Sequence, residues 1–308
     1  MPGAGPARST VAVVTDSAAS LPPSAAEELG IVVVPMTIAI GSDTLPDGAV
    51  SPEEVLHRTG TESVSTSAPA PGAYLEVLEA LRGRPALIAT VSQRMSASFA
   101  SANAAASCAA PGAALVLDTR SAAGGQGLVV LAAAAAARRG EPLAAVAAAA
   151  RRAADRVRLW ACVGDFDRLA RSGRVPGIAA WAGRSLGVRP VFEFVDGAAR
   201  PRWPARSVHA ALERIVSVCA AGQVPGATLR AAGLHALAPA VAAQLHTTLQ
   251  RALPDAEVFS APFSSVMVAH TGRGLAGLAW WWDLSPSPDR RQAPLLPSAA
   301  RAPGPTRG

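Results

Sequence analysis

Hydroxyl side chains are concentrated in two runs of this chain. One reads Val64-Ser65-Thr66-Ser67-Ala68-Pro69, the other Thr90-Val91-Ser92-Gln93-Arg94-Met95-Ser96-Ala97-Ser98. Each precedes a segment of helical character, residues 72–81 and 98–106. Ser and Thr in such places cap helices, and they also present hydroxyls beside free N–H groups at the positive helix end. Two such turns facing one another make a neutral site for a carboxylate or phosphate. Ordinary capping is the competing reading. A third stretch, His270-Thr271-Gly272-Arg273-Gly274, has glycines at 272, 274 and 277 that permit positive φ and close approach of a ligand. At the mouth of that loop His270 can donate to an anion or shuttle a proton, although a Gly-rich turn with an exposed His fits the same residues. Ser172-Gly173-Arg174 can aim a forked guanidinium at a carboxylate or phosphate, or simply end a helix.

Other chemistries find less support. No Lys follows the glycines of 272–277, so they are no Walker loop, and they lie too late for a dinucleotide fingerprint. A Ser/His-dependent enzyme acting on a small ester or carbonyl could pair Ser96 or Ser92 with His270, but GxSxG is absent. This is the alternative function. Asp165 and Asp167 are explained by charge at a helix start rather than as a catalytic pair. His57, His209, His235 and His246 lack metal-ligand spacing. Cys108, Cys162 and Cys219 form no CxxC pair and are expected to fill core volume. Neither a metal nor a cofactor is called for.

The elements that must position these residues alternate. Apolar runs at 11–14, 31–40 (interrupted at Pro35), 86–91 and 114–117 read as strands, each ending in residues rich in Ser, Thr or Asp, with helices between them. That pattern predicts an open, mainly parallel α/β sheet with its ligand beyond the carboxyl strand ends. Residues 43–48 read as a loop, and 127–139 and 141–156 as Ala-rich helices. From residue 159 a second α/β unit follows, with strands at 159–163, 188–195, 228–234, 258–260 and 278–282, a hairpin turn at Asp196-Gly197, and helices at 206–220 and 239–252. The expected organisation is an N-terminal Rossmann-like domain over 10–157, a smaller C-terminal α/β domain over 158–285, the ligand between them, and disordered ends at 1–9 and 286–308. Trp280, Trp281 and Trp282 alternate faces of the last strand as core and sheet cover.

The 308 residues carry a formal charge of +6, but every basic residue is Arg and several lie in the last twenty. No basic cluster is interleaved with aromatics, so nucleic acid is not an expected partner. No apolar run approaches the roughly 20 residues that span a bilayer, and the first ten residues lack the apolar core of a signal peptide. A cytoplasmic protein is expected.

Taken in order, the motifs resemble those of the DegV family: Thr15-Asp16-Ser17, Thr66-Ser67-Ala68-Pro69-Ala70, Ser92 through Phe99, Asp118-Thr119, Ser172-Gly173-Arg174-Val175, Asp196-Gly197 with Arg206, and the His270 stretch. The resemblance spans roughly residues 10–284. It implies two α/β domains holding a long-chain fatty acid, presented to a separate ATP-dependent fatty-acid kinase that makes the acyl phosphate. Carried over by position, Thr66, Ser96 and His270 would hold the carboxylate. Ser67, Ser92, Thr271 and Gly272 would support the head-group loops, and Arg174 would serve the phosphoryl-transfer surface facing the kinase. The resemblance implies no catalytic residues, no cofactor other than the bound acid, and at most transient contact with a membrane surface. Ala68, Ala70, Ala97 and Arg273 depart from the family pattern.

Overall fold

The computed structural model of the chain describes residues 10–164, 166–175 and 189–284. Asp165 and the expected disordered ends lie outside the described residues. Four strands, β1 (Ala12–Asp16), β2 (Ile31–Val34), β6 (Ala86–Thr90) and β7 (Ala114–Asp118), form an entirely parallel sheet in the order β2-β1-β6-β7. Both central strands are buried along their whole length, because helices cover both faces. That is why they read as continuous apolar runs rather than alternating ones. Ala12, Val14 and Ile88 pack with Tyr74 and Leu78 of α3 (Pro71–Ala80) and with Ala102 and Ala105 of α4 (Ser98–Cys108). Val11, Val13, Leu87 and Ala89 face the other way, onto α5 (Ala123–Arg138) and α6 (Leu143–Arg156).

A second sheet has six strands: β8 (Arg158–Cys162), β9 (Arg189–Val195), β10 (Ala198–Ala205), β11 (Thr228–His235), β12 (Glu257–Pro262) and β13 (Ala276–Asp283). Their order is β10-β9-β8-β13-β11-β12, and every pair is antiparallel except β11 with β12. The β9–β10 hairpin turns at Asp196 and Gly197, both with positive φ (50° and 79°), as a two-residue turn of the expected kind requires. Helices α8 (Val208–Ala221) and α9 (Pro239–Ala252) pack on one face of this sheet. The other face rests on α5.

Helix α5 thus touches both sheets, and only Ala135 and Arg138 along its length escape burial. Its composition is what lets two sheets approach one helix. A Cβ on Gly124 would lie 2.5 Å from Ala232 Cβ and 2.8 Å from Leu234 Cδ2, and one on Gly127 would lie 2.8 Å from the Ala19 carbonyl oxygen.

Four expectations are corrected here. Residues 31–40 are two strands rather than one interrupted strand: the chain breaks at Pro35, and β3 (Thr37–Ile40) joins a different sheet. Residues 43–46, expected as a loop, are β4 (Asp43–Pro46). The first hydroxyl run is a strand, β5 (Val64–Ser67), antiparallel to β3 with Thr66 opposite Ile38. Its alternating half-buried and exposed residues are those of a polar strand, which hydroxyl content alone mimics as a turn. Of the cysteines, Cys162 and Cys219 are buried as expected, but Cys108 is exposed, sitting at the last position of α4.

Gly124→Ala gains up to about 1 kcal/mol of helix propensity but forces a methyl into the α5–β11 contact, where overpacking costs about 1–3 kcal/mol. We expect a net loss of stability in urea-unfolding midpoints, and a midpoint at or above wild type would contradict the packing described.

Candidate ligand site

The turns beyond β1 and β6 and helix α5 are joined through one buried carboxylate. Asp16 Oδ1 accepts the Ala18 N–H (3.1 Å) and the Gln126 amide N–H (2.9 Å), and Oδ2 accepts the Val91 N–H (2.9 Å). Burial pushes the Asp16 carboxyl up from the ordinary carboxylate range, against the opposing pull of these hydrogen bonds. Its neighbour Thr15 donates to the Ala89 carbonyl (2.7 Å). Together they fix the end of β1 to the start of the second hydroxyl run and to α5.

The next residue extends this frame towards the C-terminal half. Ser17 Oγ donates to Asp47 Oδ2 (2.7 Å) and accepts the Met36 N–H (3.1 Å). Asp47 Oδ1 accepts the Val266 N–H (3.1 Å), and the Ser265 hydroxyl donates to the Val50 carbonyl. Val266 opens a short helix, α10 (Ser265–Thr271). His270 therefore sits in the last turn of a helix rather than in a loop, which corrects the sequence expectation. Gly272 ends the helix at φ 67° and Gly274 follows at φ 87°. Gly277 has no positive φ; a Cβ there would collide with the backbone of β8 at Trp160 and Ala161.

Between these elements lies a cavity of about 470 Å³, within the usual size of small-molecule sites. Thr66, Ser67 and Ala68 line it from β5 and the residue beyond, Met95, Ser96 and Ala97 from the second hydroxyl run, and Val266, Met267, His270 and Thr271 from α10. Leu169 of α7 (Phe166–Ser172) and Arg174 complete the wall on that side, while Ala18, Met36, Val91 and Ala122 form the parallel-sheet side. The cavity therefore opens beyond the carboxyl ends of the parallel strands, the expected place. Among the described lining residues Arg174 carries the single guanidinium.

The polar centre is a direct contact. Thr66 Oγ1 and His270 Nε2 lie 2.7 Å apart. Burial, and then the nearby Arg174 guanidinium, push the His270 imidazole down to about 4, so it is neutral at neutral pH. If the tautomer places the proton on Nε2, His270 donates to Thr66 and the Thr66 hydroxyl proton is free for a ligand. Ser96 Oγ lies 3.0 Å from Ser98 Oγ and accepts the Ser98 N–H (3.3 Å) at the start of α4. The residue in the cap position, Ala97, supplies no side-chain cap, nor does Ala70 for α3. Neither hydroxyl run therefore caps its helix in the ordinary way. Arg174 is turned back on its own segment, donating from Nη1 to the Ser172 carbonyl (2.6 Å), with Gly173 at φ 71°.

Of the eight residues singled out by sequence, six line this cavity: Thr66, Ser67, Ser96, Arg174, His270 and Thr271. Ser92 and Gly272 do not. Ser92 is buried and donates to the Gly197 carbonyl (2.7 Å), so it docks the β9–β10 hairpin onto the second hydroxyl run. Gly272 ends α10. The supporting residues Asp16, Gln126 and Asp47 were not singled out; Asp16 stood within the Thr15-Asp16-Ser17 motif, but nothing in the local sequence of Asp47 or Gln126 signals their long-range partners.

A parallel sheet with a largely apolar cavity beyond its strand ends, a hydroxyl–imidazole pair inside it and a second mixed sheet behind one shared helix define a particular two-sheet α/β architecture, and comparison with known proteins finds the family that shares it. The family model described as "Uncharacterised protein, DegV family" matches residues 10–282, and the chain belongs to the DegV family. A DegV domain-containing protein of Mycobacterium bovis is 33% identical over 273 residues, covering 87% of this chain and 96% of that protein. One from Streptomyces coelicolor is 32% identical over 278 residues, covering 87% and 97%. Among solved structures, a Thermus thermophilus DegV family protein described in terms of fatty acid binding superposes with a TM-score of 0.82 at 29% identity, over 88% of this chain and 99% of that one. DegV of Bacillus subtilis, described as a fatty acid binding protein, gives a TM-score of 0.79 at 25% identity, over 89% and 100%.

The depressed His270 value has a measurable consequence. With a folded value of about 4 against 6.5 ordinarily, the unfolded chain takes up a proton between those pH values that the folded chain refuses. Stability contributed by neutral His270 is complete above about pH 6.5 and is lost as pH falls towards 4. An NMR titration of the imidazole should give a midpoint well below 6; one near 6.5 would refute the electrostatics described.

Proposed function

We propose that the cavity holds one long-chain fatty acid, its carboxylate on Thr66, Ser96 and His270 and its alkyl chain along the apolar wall. The carboxylate is then offered to a separate ATP-dependent kinase for conversion to the acyl phosphate. The observation that carries this reading is the Thr66–His270 pair at 2.7 Å inside an otherwise largely apolar cavity. Hydroxyl donors and the N-terminus of α4 stabilise a carboxylate without a countercharge fused to it, and a buried apolar wall favours an alkyl chain over a compact anion. The fatty acid binding described for the Thermus and Bacillus proteins supports the same ligand class. Ser67 and Thr271 line the head-group end, whereas Ser92 and Gly272 support it from behind. Arg174, half-buried at the wall, is the group to face a phosphoryl donor. In this reading residues 10–157 and 158–285 are the two domains flanking the ligand, no further cofactor takes part, and the carrier works in the cytoplasm with only transient contact to a membrane surface. Among the described residues no helix is long and apolar enough to cross a membrane.

The family departures fit retention of carboxylate binding. Ala68 and Ala97 line the cavity as small apolar groups. Arg273 is exposed and reaches the Leu237 carbonyl (3.4 Å) rather than the cavity. The enzymatic alternative needs an imidazole on a serine, but His270 Nε2 is taken by Thr66 and Ser96 Oγ by Ser98.

Native mass spectrometry of the purified protein, followed by lipid extraction, tests the ligand directly: a co-purified fatty acid is expected. Thr66→Ala and Ser96→Ala should each weaken retention by about tenfold to a hundredfold, the loss of a hydrogen bond to a charged group being worth about 1.5–3 kcal/mol. Unchanged retention in the double variant would sink the site assignment. Absence of lipid together with ester turnover lost in Ser96→Ala would favour the enzyme instead. Arg174→Ala should keep the lipid and lower acyl-phosphate formation when a fatty-acid kinase and ATP are added.

A further inference from the structure

The chain has four methionines, and apart from Met1 they are Met36, Met95 and Met267. All three line the cavity. They arrive from unrelated places: Met36 from the link between β2 and β3, Met95 from the run after β6, and Met267 from α10. Elsewhere the described interior is filled by Ala, Val and Leu, with Ile, Phe and Trp where volume is needed. Unbranched thioethers are thus reserved for one surface. Met36 is well buried against the Ile38 and Ile40 cluster, while Met95 and Met267 are only half-buried and face the space more freely. The one tether is weak: the Ser20 hydroxyl donates to Met267 Sδ at 3.4 Å, a thioether being a poor acceptor.

A methionine side chain has three rotatable bonds and a polarisable sulfur, so it reshapes at little cost and is over-used on surfaces that accept several partners. Leu or Ile has few rotamers and specifies one shape. Resting on the fatty-acid reading above, we propose that Met36, Met95 and Met267 form a deformable wall that sets acyl-chain specificity. It lets the cavity take straight, cis-bent and methyl-branched chains with nearly equal affinity, while the head group is held by the rigid Thr66–His270 pair.

The test is delipidated full-length protein titrated with palmitic, oleic and isopalmitic acid, wild type against the triple variant M36L/M95L/M267L, with melting temperature as the fold control. For wild type the three dissociation constants should agree within about threefold. In the triple variant the best and worst should separate by about tenfold or more, a difference of about 1.4 kcal/mol. A wild type that already discriminates tenfold, or a folded triple variant whose three constants keep the wild-type ratios, overturns the proposal. If the triple variant does not fold, M95L/M267L, which spares the buried Met36, is read on the same panel by the same criterion. A wild type that binds none of the three acids overturns the fatty-acid reading itself, which is a distinct outcome.

Discussion

The structure turns on one fully buried carboxylate. It belongs to Asp16, and donors that include the Ala18 and Val91 amides and the Gln126 side chain offset its desolvation. Each belongs to a different piece of the protein, the turn after β1, the turn after β6 and the central helix α5. A buried polar group left without its partners is costly, so those three pieces are held in one arrangement, and both Ser96 and the parallel-sheet wall of the cavity inherit their positions from it. Ser17 and Asp47 pass the same order on to α10 and hence to His270.

On the proposed reading, the consequence is a head-group site that is polar but nearly uncharged. His270 is kept neutral by burial and by Arg174, and Arg174 itself is folded back on the Ser172 carbonyl. A carboxylate held there as proposed would meet hydroxyls, an imidazole and a helix start instead of a salt bridge. Such an arrangement avoids burying an unpaired cation when the site is empty, which would be expensive. It would also leave the oxygens of the proposed ligand short of a full countercharge, so that the anion would stay reactive towards an incoming electrophile.

Much of this was legible in the sequence. The two central parallel strands announced themselves because strands buried on both faces are uninterrupted apolar runs, and the hairpin because Asp196-Gly197 suits two successive positive φ values. Thr66, Ser96 and His270, separated by more than 200 residues at the extremes, were singled out and are found around one cavity. What misled was local chemistry with two structural meanings. The consecutive hydroxyls Ser65, Thr66 and Ser67 suit an edge strand as well as a turn, and the glycines after His270 concealed the seven-residue helix before them, whose stability comes from contacts with Asp47 and Val50. Those contacts span about 215 residues of sequence, and no local pattern encodes them. Pro35, in contrast, marked an interruption whose full meaning, a change of sheet, needed the tertiary partners of β3.

Helix α5 is apolar on nearly every side because it serves two sheets. A ribosome delivers those sheets at different times. When residues 10–156 have emerged, the parallel sheet can form and cover one flank of α5, but Ala232, Leu234 and Phe259, which cover the other, have not yet been made. The nascent N-terminal half therefore shows a bare stripe of Ala, Gly and Leu for the time that about 100 further residues take to synthesise, some 5–20 s at usual rates. During that interval the helix is a natural client for a holding chaperone.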